Sequence, residues 1–416
     1  MNRIVRYITL FALLCTAVNA SFAATTTVKG TDNTYIGTTL YLQTWDDGWQ
    51  ATHTLLDSCT VDANGNFQFT FELTETRKAH IPLGHYTGSL FLEPGKTYEI
   101  ALPINTPISA KEAINPYFQA EELLVSFTNL SSTDINRQII DFEDAFDRYW
   151  EQLLQEPIVT PQLIEQAIAS LDSIFPASDH AFWEQYKTYR YALMVNLYAA
   201  GAPDLSISNY FLQNPVLYHQ PAYWEAFDAI FPHFDRISGL YSNQPLFELA
   251  IMQKVESNDL PLSKLDYIQT TENKKIADAI RLKKLSQKVG HHIAIDSLTN
   301  INGETIHWNE LQFPKAYFLF TNSQLNECRA DVAFVEKMSK KYPNKCLFLL
   351  IFTDESTASI EQACHGLKNN YFVCSLQQNP MLRTLFYQTY APAYYLLDSE
   401  SRLMQVPAPE PKNFVP

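Results

Sequence analysis

The hydrophobic period of this chain changes twice, and the two changes divide it. From Thr25 to about Pro103, apolar residues alternate with polar ones in short runs separated by turn signals such as Asn64-Gly65 and Pro94-Gly95. A period of two puts successive side chains on opposite faces of a pleated strand, so this stretch predicts a small β-sandwich. Near Asn115 the period becomes helical: Ile135, Ile139, Phe142, Phe146, Tyr149 and Leu153 share one helix face, with Ser132 or Thr133 expected as its N-cap. Further helices are expected over 161–175, 181–200, 222–231, 246–255 and 261–288, the last broken near Thr270-Thr271, with prolines at or between their ends. Near Gly290 strands return and alternate with helices, which calls for a sheet with crossover helices. The reading is a multidomain α+β chain: a leader over 1–23, a β-sandwich over 24–104, an all-α middle over 115–289 and an α/β domain over 290–416. No strand pairing is expected between the first and last of these.

Composition bounds the function. A chain of 416 residues is long enough for more than one core, and 46% hydrophobic content with only 12 glycines excludes a disordered or fibrous protein. A formal charge of −15 without a basic patch argues against a nucleic-acid partner. Arg3 and Arg6, the apolar run Tyr7 to Val18 and the small-x-small site Ser21-Phe22-Ala23 form an export leader cleaved after Ala23. The run is shorter than the ~20 residues a spanning helix needs, and no later stretch reads as membrane-spanning. The expected location is the periplasm or cell envelope. Leu14 is too large for lipoprotein processing at Cys15. Cys59, Cys328, Cys346, Cys364 and Cys374 then remain, an odd set that leaves at least one thiol unpaired within the chain in an oxidising compartment.

The last third carries the most specific pattern. A buried strand, Tyr317 to Phe320, runs through a polar loop into an amphipathic helix starting near Leu325, and Ala391 to Asp398 is a later strand entered through Pro392. Between them lie a strand over 346–352, a helix over 357–367, a short strand over 371–374 and a helix over 380–390; strand 402–406 closes the sheet, and Asn302-Gly303 marks a preceding hairpin. This order resembles the thioredoxin fold of TlpA-like envelope proteins, in which a strand ends in W-C-x-x-C at a helix start and a cis-proline loop faces the cysteines. Gly65-Asn66-Phe67 and the turn from Pro94 to Ile100 resemble the β-sandwich often fused ahead of such domains. On that pattern Gln324 stands at the tryptophan, Leu325 at the first cysteine, Cys328 at the second, and Ala391-Pro392 at the cis-proline loop.

The resemblance implies thiol–disulfide exchange, and the residues remove its nucleophile. Exchange needs a low-pKa thiolate exposed at a helix N-terminus and a second thiol one turn in; Leu325 deletes the first. Three roles stay open for Cys328: a semi-buried structural thiol, a monothiol or regulatory site, or a disulfide partner. Gln324, Leu325, Ala391 and Pro392 are the implied binding lip for an extended peptide. Relatives of this kind usually close with a helix over one sheet face, which the final segment PAPEPKNFVP cannot form; either a neighbouring domain covers that face or an apolar patch is left for a partner.

Other candidates carry less. Pro94-Gly95-Lys96-Thr97 is a turn, since a phosphate loop would need glycine at the position of Leu90. His291-His292 reads as a solvated linker, because adjacent strand residues point to opposite faces. Cys364 and Cys374 either bridge or sit as separate core thiols. No metal site and no cofactor motif is expected. The aromatic residues of the middle, among them Phe182, Trp183, Tyr186, Tyr223, Trp224 and Phe231, read as core. The leading function is an exported, non-catalytic binding or scaffold module for an extended peptide or an envelope protein. A monothiol redox protein acting through Cys328 is the alternative, so enzyme status is left undecided; a third reading gives carbohydrate or hydrophobic-ligand binding to the aromatic middle.

Overall fold

The computed structural model describes residues 23–49, 53–106, 108–109, 112, 115, 118–199, 208–230, 239–323, 325–353, 357–364, 371–386 and 391–416. Residues 1–22 of the expected leader, Gln324 and Phe231 lie outside the described residues. The chain packs as two compact units, one drawn from the residues up to Thr106 with Ala120–Ala250, the other from Pro107–Gln119 with Ile251–Pro416. The helical middle therefore contributes to both.

In the first unit, strands β1 (Ala24–Thr31), β4 (Asn66–Leu73), β7 (Thr97–Ala101) and β9 (Ser126–Phe127) form one sheet in the order β4-β1-β7-β9. Strands β2 (Thr39–Trp45), β3 (His53–Thr60), β5 (Arg77–Leu83), β6 (Tyr86–Leu92) and β8 (Glu121–Leu124) form the other, in the order β3-β2-β5-β6-β8. Strand β4 shows the cause: Phe67, Phe69, Phe71 and Leu73 are buried while the residues between them are exposed, so one face of the strand enters the core with Val28, Ile81, Leu90 and Tyr98. The turns at Gly65 and Gly95 hold φ of +81° and +77°, which glycine adopts without a Cβ penalty. Strands β8 and β9 lie beyond the expected end of the sandwich near residue 104. They complete both sheets from within 115–289, the stretch expected to be all-α.

The helices α1 (Ile135–Gln155), α2 (Pro161–Ile174), α3 (Ala181–Ala199) and α4 (Pro221–Ile230), and the start of α5 (Gln244–Glu256), belong to the same unit. Their rings are core, as the spacing predicts: Phe142 packs edge-on against Trp183 at 5.3 Å, and Tyr189 against Tyr223 at 4.8 Å between centroids. The N-cap of α1 is Asp134, not Ser132 or Thr133, and its carboxylate accepts from the Asn136 backbone N–H at 2.9 Å. Asn136 explains the choice. Its amide donates to Phe91 O at 2.8 Å and accepts from Phe91 N at 2.7 Å, as a neighbouring strand would, beyond the point where β8 stops pairing with β6. Helix and sandwich are thus joined by a fully buried side chain imitating backbone. Asn136→Ala is expected to leave both Phe91 groups buried without partners and to lower the unfolding free energy by about 2–4 kcal/mol in urea titration.

The second unit holds α6 (Thr271–Leu285), the hairpin β10 (Ser297–Thr299) and β11 (Thr305–His307), and a sheet in the order β14-β13-β12-β15-β16. Its strands are β12 (Lys315–Thr321), β13 (Leu347–Phe352), β14 (Tyr371–Ser375), β15 (Ala393–Asp398) and β16 (Leu403–Gln405); helices α7 (Asn326–Lys341), α8 (Thr357–Ala363) and α9 (Met381–Leu385) connect them. β12 pairs in parallel with β13 and antiparallel with β15. This is the thioredoxin-like α/β arrangement, and among the described residues it shares no sheet with the sandwich. The His291-His292 segment is not a free linker: Gly290 N donates to Leu403 O and Leu403 N to His291 O, so it lies along the outer strand of the sheet.

The sheet face expected to lack its helix is covered by the tail that follows β16. Phe414 is buried against Tyr317 at 4.5 Å between centroids, Ala408 is buried in the same cluster, and Tyr317 donates its hydroxyl to Pro409 O at 2.7 Å. A proline-rich strap has few N–H groups to satisfy and lies flat over an apolar face. Phe414→Ala should cost about 3–5 kcal/mol by urea unfolding and raise binding of an apolar dye at the uncovered face.

Candidate functional site

The site follows from where β12 delivers the chain. Leu325 is the N-cap residue of α7 in an extended conformation (φ −92°, ψ 130°), and its side chain makes no cap hydrogen bond. The loop is held instead by Arg329, whose Nε donates to Ser323 O at 2.9 Å, and by Arg329 N donating to Leu325 O at 3.1 Å. Cys328 is the third residue of the helix, so its sulfur lies within the first turn, where the helix dipole would favour a thiolate.

Burial opposes that. Cys328 is 0% exposed, Leu325 is 9% and Ala391 is 7%, and the three form one apolar cluster. The Ala391-Pro392 peptide is cis. The fold thus gathers Leu325, Cys328 and the Ala391-Pro392 loop as the element order implied, with the sulfur fully buried. Gln324, at the tryptophan position of the pattern, lies outside the described residues.

Cys374 is a free thiol buried in the sheet core, so the bridge left open between Cys364 and Cys374 is not formed. Burial pushes the Cys346 thiol up to about 12 and raises Cys374 further; Cys59, half-buried in the sandwich, is raised by the same cause. Among the described residues no group of His, Cys, Asp and Glu is arranged to hold a metal ion, and no helix is long and apolar enough to cross a membrane.

Asp331 is the charged group nearest in sequence that sequence reading passed over. It lies three residues after Cys328 on α7 and accepts a hydrogen bond from the Tyr394 hydroxyl of β15 at 2.6 Å. Burial raises its carboxyl above the usual aspartate range, Glu410 of the tail adds to the rise, and the Tyr394 hydrogen bond opposes it. A signal existed in the helical spacing of Asp331 from the Cys328 face, but nothing in the sequence placed Tyr394 opposite. Because the folded pKa exceeds the unfolded one, this carboxyl favours the folded state at low pH and loses that contribution as pH rises through its folded pKa. Asp331→Asn, which keeps an acceptor for Tyr394, should therefore stabilise the protein at pH 7. The gain should shrink as pH falls through the raised folded pKa and be gone below the usual aspartate range, read from thermal midpoints across pH.

No protein-family model and no curated protein matches this chain. Solved structures do. One is a conserved protein of unknown function from Bacteroides fragilis (17% identity, 30% of this chain and 95% of that chain, TM-score 0.27). A second is a putative thiol-disulfide oxidoreductase from Bacteroides vulgatus (19% identity, 31% and 91%, TM-score 0.28), and a third a putative thiol:disulfide interchange protein DsbE from Chlorobium tepidum (15% identity, 28% and 83%, TM-score 0.26).

Proposed function

We propose that this chain is an exported cell-envelope protein whose thioredoxin-like domain is a non-catalytic binding or scaffold module for an extended peptide or an envelope protein. The observation that carries the reading is the complete burial of Cys328, in one apolar cluster with Leu325 and Ala391. A thiol that attacks a disulfide must meet it as an exposed thiolate, and a second thiol must then resolve the mixed disulfide. Here the outer position is apolar and the inner sulfur is covered. Strand order and the loop before β15 are kept, so the frame that presents a peptide-binding lip outlasts the chemistry. Export rests on the charged, apolar and small-residue sequence of 1–23.

Thiol labelling of the native protein tests the central point. Wild type and Cys328→Ser should label at the same rate and to the same extent until denaturant is added, and wild type should not reduce a general disulfide substrate. Leu325→Cys should form a reducible disulfide with Cys328 and gain weak exchange activity. Disulfide turnover by wild type that vanishes in Cys328→Ser would instead establish the monothiol enzyme. Protein found in the cytoplasmic fraction with residues 1–23 still attached would refute the location.

A further inference from the structure

The tail after β16 lies on its sheet face in the manner of a docked peptide. Ala408, Pro411 and Phe414 are buried while Glu410, Lys412 and Asn413 are exposed, so every third residue faces the domain. Three residues per turn is the period of polyproline II and of a 3₁₀ turn. Both occur here: Pro411–Asn413 form one 3₁₀ turn, and the residues flanking it, Glu410 (φ −51°, ψ 149°) and Phe414 (φ −77°, ψ 130°), lie near polyproline II angles. Such a segment loses little conformational freedom on docking, because its prolines fix φ in advance.

The surface beneath it has the parts that recognise a segment of this kind. The Tyr317 hydroxyl donates to Pro409 O at 2.7 Å, and Tyr394 O accepts from Ala408 N at 2.9 Å. Tyr317 and Phe348 meet the Phe414 ring at 4.5 and 6.1 Å between centroids. Proline-rich segments dock in aromatic-lined grooves, and this groove adds one donor and one acceptor for the backbone. One position is mismatched in charge. Asp331 of α7, half-buried, accepts from the Tyr394 hydroxyl at 2.6 Å, and the tail brings it a second carboxylate, Glu410, whose charge acts against its own. Lys412 acts in the opposite sense, but it is also paired with Glu410 at 2.6 Å. The tail is a fitting ligand with one wrong charge.

We propose that this groove receives, in place of the tail, an extended proline-rich segment of a partner protein that carries a basic residue where the tail has Glu410. The tail is the resident that such a segment displaces. Because it is tethered, it competes at a high effective concentration, so a partner must bring a better match. The Asp331 carboxylate is where a better match is available, as a charge-assisted contact in place of a repulsion. An acidic segment gains nothing over the tail. The groove residues and the cluster of Leu325, Cys328 and Ala391 are distinct, so this proposal and the reading of the thiol site stand or fall separately.

Isothermal titration of the full chain with three synthetic peptides tests it: residues 405–416 as they stand, the same peptide with Glu410→Lys, and the Glu410→Lys peptide with Phe414→Ala added. The basic peptide should bind one per chain and about tenfold more tightly than the unaltered one. Loss of its aromatic ring should abolish saturable binding. Hydrogen exchange at the chain's own Ala408 amide should quicken as the basic peptide saturates, because Tyr394 O then serves the peptide. Asp331→Asn, expected to stabilise the fold, should bring the basic and unaltered peptides to within about twofold of each other. The proposal is overturned if the basic peptide does not saturate, if the version without the ring binds equally, if Ala408 exchange is unchanged at saturation, or if Asp331→Asn leaves the preference intact. It is also overturned if the unaltered peptide binds as tightly as the basic one, which would mark the groove as a contact between tails of two copies of this chain.

Discussion

Strand β12 has no face to give to water. Ala316, Tyr317, Phe318, Leu319 and Phe320 are all fully buried, and their side chains alternate between two separate cores. Ala316, Phe318 and Phe320 meet Trp308, Leu382 and Phe386 on one side. Tyr317 and Leu319 meet Val332 and Val335 of α7 together with Ala408 and Phe414 of the tail on the other. A central strand apolar on both sides commits the chain to two covering layers, and the rest of the second unit is the means of supplying them. Helix α7 is one layer only in part, which is why a segment unable to form a helix still has a structural task. Its prolines bring few donors that need satisfying, and its carbonyls remain available, one of them to Tyr317.

The same commitment closes the thiol site. β12 must end where α7 begins, so the first turn of α7 and the loop before β15 are brought together whatever residues they carry. With a cysteine at the outer position such a junction exposes reactive sulfur. With Leu325 there, the leucine is buried in one apolar cluster with Ala391 and Cys328. Water is excluded, and an ionised thiol in that setting loses its solvation.

Much of this was legible in the sequence because it is local. Period two in β4, the positive-φ turn of Asn302-Gly303 and the order strand, loop, helix around Leu325 each depend on neighbours a few residues apart. What escaped depends on distance along the chain. Strands β8 and β9 are four and two residues long, too short to show a period, and are made strands by partners in β6 and β7. Ser132, Thr133 and Asp134 are all competent caps; Asp134 is used because Asn136 must reach Phe91. The tail announced what it could not form but not what it lies on. Trp45 and Trp224 line one cleft, and no spacing rule links residues so far apart.

The polar joints of the first unit bear on that cleft. Asn136 ties α1 to β6, Glu93 meets His180 at 3.3 Å, and Glu75 and Arg77 both reach His219 in the loop that leads into α4. Buried and half-buried polar contacts of this kind add little net stability, because desolvation offsets most of the attraction. Their effect is on register: each has one arrangement in which its donors and acceptors match. The cleft is lined from β2, β5, β8 and α4, elements that come from both sides of this joint. A helix free to slide on an apolar sheet would keep its burial and lose the alignment of Trp224 with Trp45. The directional bonds of His219 and Asn136 each match in one arrangement only, and so favour a single register of helix on sheet.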